Sequence, residues 1–473
     1  MGFPYRVSIK NFDTLSIINM FQYGMFRNLY GRLIRYNQDG QLMVDLPERF
    51  YWQNAFLIFE FGKKVTTVDG HVITAEDAAI SLKRNIIYKR SGHGDIRNFL
   101  CPGQELKTID DACEGIEVVG NKLILKPVKE HYGPLLLSAL ENADYSIIPK
   151  NSLDKALKII DYRNTSGTYF VAKDSTIGEI KLQANPKHYL YSEKMPQEID
   201  LVPGDVISIW NLFLEDKIDL ISTGVPPVGE AAQLVMSNGN EQYNIHKSIP
   251  ISVNLLLFSK EAITEFSVEQ RFFVAQAYAG VVKTKLNFYE AQPTETFFRK
   301  HTNGGLSDRQ EAELKSKRNL TKRPAFNRPI EILISNARFE LFSKSFSEYS
   351  KEIKPIKMGA HSTDLKIHER PHAISMINDS SWLEDMGLIG YNLNFEVFKT
   401  FKLEKNKWFE NYLALESKED RNKLLQDLHY ENLINAYVYP ILVSPYFAVV
   451  KKPWTFNMST LHAGTELWNI RIP

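Results

Sequence analysis

Asp69-Gly70-His71-Val72-Ile73-Thr74-Ala75-Glu76-Asp77 is the stretch from which the rest of the chain can be ordered. Thr74 is placed to cap a helix, and Asp77 stands at its third helical position, where the carboxylate can bond back to the cap. Ala75, Ala78, Ala79, Leu82 and Ile86 then recur at helical spacing, which predicts one buried helical face. Before it, Tyr5 to Lys10 alternates like a strand. After it, Gly115–Val119 and Lys122–Lys126 form a strand pair joined by Gly120-Asn121, a two-residue turn that asks for positive φ. Helix and strand signals mix in this way to the end of the chain.

Asp205 caps a helix whose buried stripe is Val206, Ile209, Trp210 and Phe213. Ser267 to Val282 reads as a helix packed on several sides, with alanines at 275, 277 and 279. Ile330–Ile334 reads as a strand, Phe339–Ile353 as a helix, and Leu365–Ile367 and Ala373–Ile377 as strands. Glu419–Ala436 is an amphipathic helix, and Val438–Val450 a strand-rich close. The basic run from Lys315 to Pro324 suits either a nucleic-acid patch or a solvated linker.

Composition narrows the choice. The chain has 473 residues, room for about three domains at roughly 150 each. At 44% hydrophobic and 24% charged it can bury a core without help from metals or disulfides. Lys plus Arg is 57 against 56 for Asp plus Glu, a net charge of +1. Binding to nucleic acid or an anionic membrane usually asks for a basic surface, so the linker reading of 315–324 is preferred. No run reaches the roughly 18 apolar residues of a membrane span. Met1–Lys10 has no apolar core of a signal peptide, so the protein is cytoplasmic or its leader is missing from this sequence. Cys101 and Cys113 lie in a loop-like stretch with Pro102, Gly103 and Gly115. They suit a local disulfide worth about 3 kcal/mol, or two free thiols in a reducing compartment.

Catalytic patterns are sparse. There is no phosphate-cradling loop, no nucleophile elbow and no cysteine-based metal pattern. His368-Glu369-Arg370-Pro371-His372 matches the zinc-peptidase string, which needs both histidines on one helical face. Pro371 inside that helix would cost about 3 kcal/mol, and the flanks read as strands. The string is better read as a loop between strands. Several α/β units rich in Tyr and Phe suit a protein that binds something in a cleft.

In order along the chain, Asn28-Leu29-Tyr30-Gly31-Arg32-Leu33, Asp45-Leu46-Pro47-Glu48, Phe59-Glu60-Phe61 and Asp69 to Asp77 resemble the motifs of the family 5 extracellular solute-binding proteins. So do Ile147-Ile148-Pro149-Lys150, Asn164 to Phe170, Leu182 with Asn185-Pro186 and Tyr189, Leu214 to Leu220, Arg271 with Ala275–Ala279, and Leu433–Tyr446. These are the oligopeptide-, dipeptide- and nickel-type receptors of ABC importers. Lys217, Ser166-Gly167-Thr168-Tyr169 and Leu257-Phe258-Ser259 depart from the pattern and mark a divergent member.

The resemblance implies an α/β, two-lobed periplasmic-binding-protein clamshell (type II, cluster C) with an extra inserted domain. Lobe I would comprise 1–40, 161–245 and 452–473, the inserted domain 41–160, and lobe II 246–451. The expected protein is a monomeric, non-enzymatic receptor, periplasmic or facing the outside, with no cofactor and no nucleic-acid partner. It would carry a peptide-like solute to a membrane permease. Export would favour the Cys101–Cys113 disulfide. Metal-chelate, haem and sugar receptors share the implied fold. A sensor within a transcription factor also would, but no basic helix-turn-helix segment is seen.

By the same resemblance, an Asp three residues after a Trp holds the peptide's α-ammonium, and Trp382-Leu383-Glu384-Asp385 has that spacing. Aligning on the preceding strand puts Asn378–Ser381 there instead, with Asp379 as the carboxylate. Glu384 and Asp385 could equally cap the next turn. Tyr23, Tyr30 and Trp382 are candidate cleft walls, against ordinary core packing.

Overall fold

The computed structural model describes residues 1–4, 12–16, 20–37, 39, 41–62, 65–88, 96–173, 175, 180–223, 225, 227–286, 290–300, 302–334, 339, 343–357, 371–379, 402–456 and 465–473. The chain forms two compact units, Met1–Ile249 with Tyr446–Pro473, and Pro250–Pro445. The strands Tyr243–Phe258 and Val438–Lys451 each carry the chain across one boundary.

In the first unit, Gly2–Pro4 runs parallel to Glu198–Gly204 and to Leu220–Ile221. Ile180–Ala184 and Tyr169–Val171 extend the sheet antiparallel on one side, and Val449–Val450 pairs with Leu220–Ile221 on the other. Its core gathers Phe26, Leu29, Tyr30, Tyr169, Leu182 and Trp468. The helix Val206–Leu214 is capped as expected, Asp205 accepting from the backbone of Ile207 and Ser208 at 2.9 Å. Ile209, Trp210 and Phe213 are its buried face, with Val206 half-buried.

Residues 41–160 belong to this unit and build an antiparallel sheet in the order 49–53, 56–60, 122–125, 116–119. Alternation sets its faces. Leu57, Phe59, Leu123 and Leu125 are fully buried, and the helix Ala75–Tyr88 packs against the strands 116–119 and 122–125. On the opposite face Glu60 accepts from Arg49 and Tyr51 and pairs with Lys122, which holds its carboxyl down at about 2. Cys101 and Cys113 are disulfide-bonded, with Cα atoms 5.5 Å apart.

In the second unit the strand order is 353–357, 330–334, 373–379, 243–258. The first three are parallel, and residues 252–258 run antiparallel to 373–379. The helices Val268–Leu286 and Lys418–Ile434 match their expected positions, the first extending beyond Val282.

Two expectations need correcting. No single helix spans 339–353: Ser343–Tyr349 is a 3-10 helix, and a strand begins at Ile353. Serines at 343, 345 and 347 compete for the backbone. The tighter coil also aligns Phe346 and Tyr349, three apart, for ring contacts with Tyr278 and Phe273. The basic run is not simply a solvated linker either. Lys315, Lys317 and Arg318 form the last turn of the helix Asp308–Arg318, where cations suit the helix dipole. Arg318 is buried, donating to Glu295 O at 3.0 Å and lying over the Tyr439 ring, and Arg323 pairs with Glu352 at 2.7 Å. Tyr5–Lys10 and Leu365–Ile367 lie outside the described residues.

Candidate functional site

The strand Ala373–Asp379 lies between 330–334, parallel to it, and 252–258, antiparallel to it. At the carboxyl ends of parallel strands the chain must leave the sheet, which frees loops for recognition. Asn378 and Asp379 are the last two residues of that strand. They pair with Val253 and Ser252, so Asp379 ends two pairings from Pro250, where the chain enters this unit. Trp382, Glu384 and Asp385 follow and lie outside the described residues, as do the side chains of Asn378 and Asp379.

Candidates on the first unit have different surroundings. Tyr23 belongs to the helix Met20–Leu29, and its side chain is outside the described part. Tyr30 follows that helix and is only 1% exposed, stacked on Phe26 at 6.1 Å. Burial pushes its hydroxyl far up from the ordinary tyrosine range, with the Asp13 charge acting in the same direction. Core packing is what this environment supports.

The zinc-peptidase string is described only at its end. His372 sits just before the strand 373–379, not in a helix. Its Nδ1 accepts from Glu331 N at 2.9 Å, which leaves Nε2, 3.7 Å from a Glu265 carboxylate oxygen. Burial lowers its pKa. His368, Glu369 and Arg370 lie outside the described residues. Among the described residues no three His, Cys, Asp or Glu side chains cluster to hold a metal. A separate cleft of about 480 Å³ is lined by Glu295, Thr296, Asp308, Glu311, Leu314 and Lys315, but Lys300 bridges Asp308 and Glu311.

Most of the motifs that carry the family resemblance meet one another in the first unit. Gly31 N donates to Ser166 Oγ at 3.0 Å, Ser166 Oγ donates to Ile147 O, and Ile147 N donates to Gly31 O at 2.8 Å. Gly167 N bonds Leu29 O at 2.8 Å, and a Cβ at Gly167 would stand 2.3 Å from Asn28 O. Asn185 Nδ2 reaches Thr66 O at 3.0 Å. These residues join segments far apart in sequence, so their contacts serve folding.

No protein-family model matches the sequence, and no curated protein sequence matches it. Solved structures do. OppA of Haemophilus influenzae, in complex with RPPGFSPFR, matches with a TM-score of 0.75 at 14% identity, over 100% of this chain and 98% of that one. NikA from Brucella suis, in complex with Fe(III)-EDTA, gives 0.73 at 16% identity over 100% and 99%. The chain has the two-lobed α/β fold of these binding proteins. The Escherichia coli murein tripeptide binding protein MppA shares it, with a TM-score of 0.73 at 13% identity over 99% and 97%. These matches cover both units. Among the described residues no helix is long and apolar enough to cross a membrane.

Proposed function

We propose that this protein is a non-enzymatic receptor that captures a peptide-like solute between its lobes and delivers it to an ABC permease, working as a monomer outside the cytoplasmic membrane. The observation that carries the reading is the full-length fold match to OppA with its bound nonapeptide and to the tripeptide-binding MppA. In this reading 1–40, 161–245 and 452–473 form one lobe, 41–160 an inserted domain and 246–451 the other lobe, and solute draws the lobes closed. Peptide added as a strand is held through main-chain hydrogen bonds, which gives affinity without side-chain selection. The α-ammonium is held by Asp379 or Asp385, with Trp382 and Asn378 beside it. A buried ammonium stripped of its partner costs about 3–5 kcal/mol.

Native mass spectrometry of the protein as purified tests the solute class. A retained peptide supports the proposal; a retained metal chelate turns it to the second reading, which NikA with Fe(III)-EDTA favours. Asp385→Asn and Asp379→Asn are then titrated with the peptide and its N-acetylated form. One variant should lose binding to the free amine by at least about a hundredfold. If both bind it like wild type, the ammonium anchor is wrong. Stoichiometric zinc with peptide cleavage would overturn the receptor reading altogether.

A further inference from the structure

The segment Gln292–Gly305, described except at His301, is held along one face of the helix Lys418–Ile434 and also by Arg318 of the helix Asp308–Arg318, which donates to Glu295 O. Asn422, Gln426 and His429 lie on Lys418–Ile434 at spacings of four and three, which puts them in one row. Asn422 Oδ1 accepts from Gly304 N at 2.6 Å, and Gln426 Nε2 donates to Gly305 O. His429 Nδ1 meets Gly304 O at 2.8 Å, and its Nε2 accepts from Phe297 N at 3.1 Å. Gly304 takes φ +74°, and a Cβ there would stand 2.6 Å from the Phe298 ring.

The segment also reaches both strands that cross between units, in the second-unit part of each. Gln292 and Pro293 pair with Val443 and Leu442, and Thr294 N donates to Ile441 O at 3.2 Å. Arg299 Nη2 donates to Pro250 O, the carbonyl of the first residue in the second unit. We propose that residues 292–300 and 302–305 form a clasp that fixes both crossing strands just inside the second unit, at Pro250 and at 441–443, with Arg299 as its positioning residue. The clasp belongs to the fold itself and does not depend on what the protein binds.

Hydrogen exchange of the full chain, read by mass spectrometry, tests it. In Arg299→Ala, amides of 251–256 and 440–445 should exchange about tenfold faster or more, as loss of a charged hydrogen bond allows local opening. Amides of 330–334 and 56–60 should keep wild-type rates, and Arg299→Lys should restore part of the protection. Asn422→Ala, which loosens the segment from the helix side, should give the same local pattern and decides the matter if Arg299→Ala does not fold. Unchanged exchange at both 251–256 and 440–445 would overturn the clasp. So would equal acceleration at 330–334, which marks general destabilisation of the unit.

Discussion

Asp77 shows how a single residue can hold distant segments together. Its carboxylate is fully buried and accepts from Thr74 N and Oγ1 at 2.8 Å, His71 Nε2 at 2.9 Å and Lys150 N at 2.7 Å. It completes the capping box and ties the helix start to the segment 147–150. Removing a buried acceptor strands several donors, so Asp77→Ala should lower stability by about 3 kcal/mol, with Asp77→Asn recovering part. The urea midpoint measures this, and a wild-type midpoint in Asp77→Ala would refute the role. His429 is the pH-sensitive counterpart. Burial drives its pKa to about 4, with the Arg318 charge adding to the effect. Unfolded histidine titrates near 6.5, so between about 6.5 and 4 the unfolded state holds the extra proton. Stability should therefore fall as pH drops through that window, by up to about 3 kcal/mol at its lower end. In His429→Gln the slope between pH 6.5 and 4 should flatten. An unchanged slope in urea titrations would rule it out.

At the scale of elements, two hairpins of the same small sheet contrast. Gly120-Asn121 was readable because glycine is the residue a tight turn wants, and Gly120 takes φ +60° between Val119 and Lys122. Asn54-Ala55 joins Gln53 to Phe56 with φ +50° and +64°, a turn that places alanine in a region it disfavours. That hairpin carries no glycine to announce it. Ala55→Gly should raise stability by about 1 kcal/mol, seen as a higher melting midpoint. A lower midpoint would mean that the neighbouring strands, and not the turn, set this conformation. The Ser343–Tyr349 segment teaches the converse: its serines and aromatic spacing produce a 3-10 coil where periodicity alone suggests a full helix.

For the whole molecule, the proposed receptor role requires that the solute stabilise the fold. A solute bound only by the folded state adds about 2.7 kcal/mol at a hundredfold its dissociation constant. Protein unfolded in denaturant, dialysed free of solute and refolded should melt a few degrees lower than the same protein with the recovered solute restored. Calorimetry giving one midpoint for both would count against solute capture. That test is independent of which carboxylate anchors the ligand.

The helix caps at Thr74 and Asp205, the strands 330–334 and 373–377 and the long helix at 419–436 could be read from the chain, within a few residues of their observed ends, because each rests on neighbours a few residues away. Local hydrogen bonds and side-chain periodicity are written in sequence order. The meeting of Gly31, Ile147 and Ser166 could be suspected only through resemblance, since nothing in their spacing brings them together. Tertiary structure alone decided that Tyr30 belongs to the core, that Arg318 is buried over an aromatic ring, and that Arg299 reaches Pro250. Burial and long-range partners depend on how sheets and helices stack, and a residue's neighbours in sequence do not carry that information.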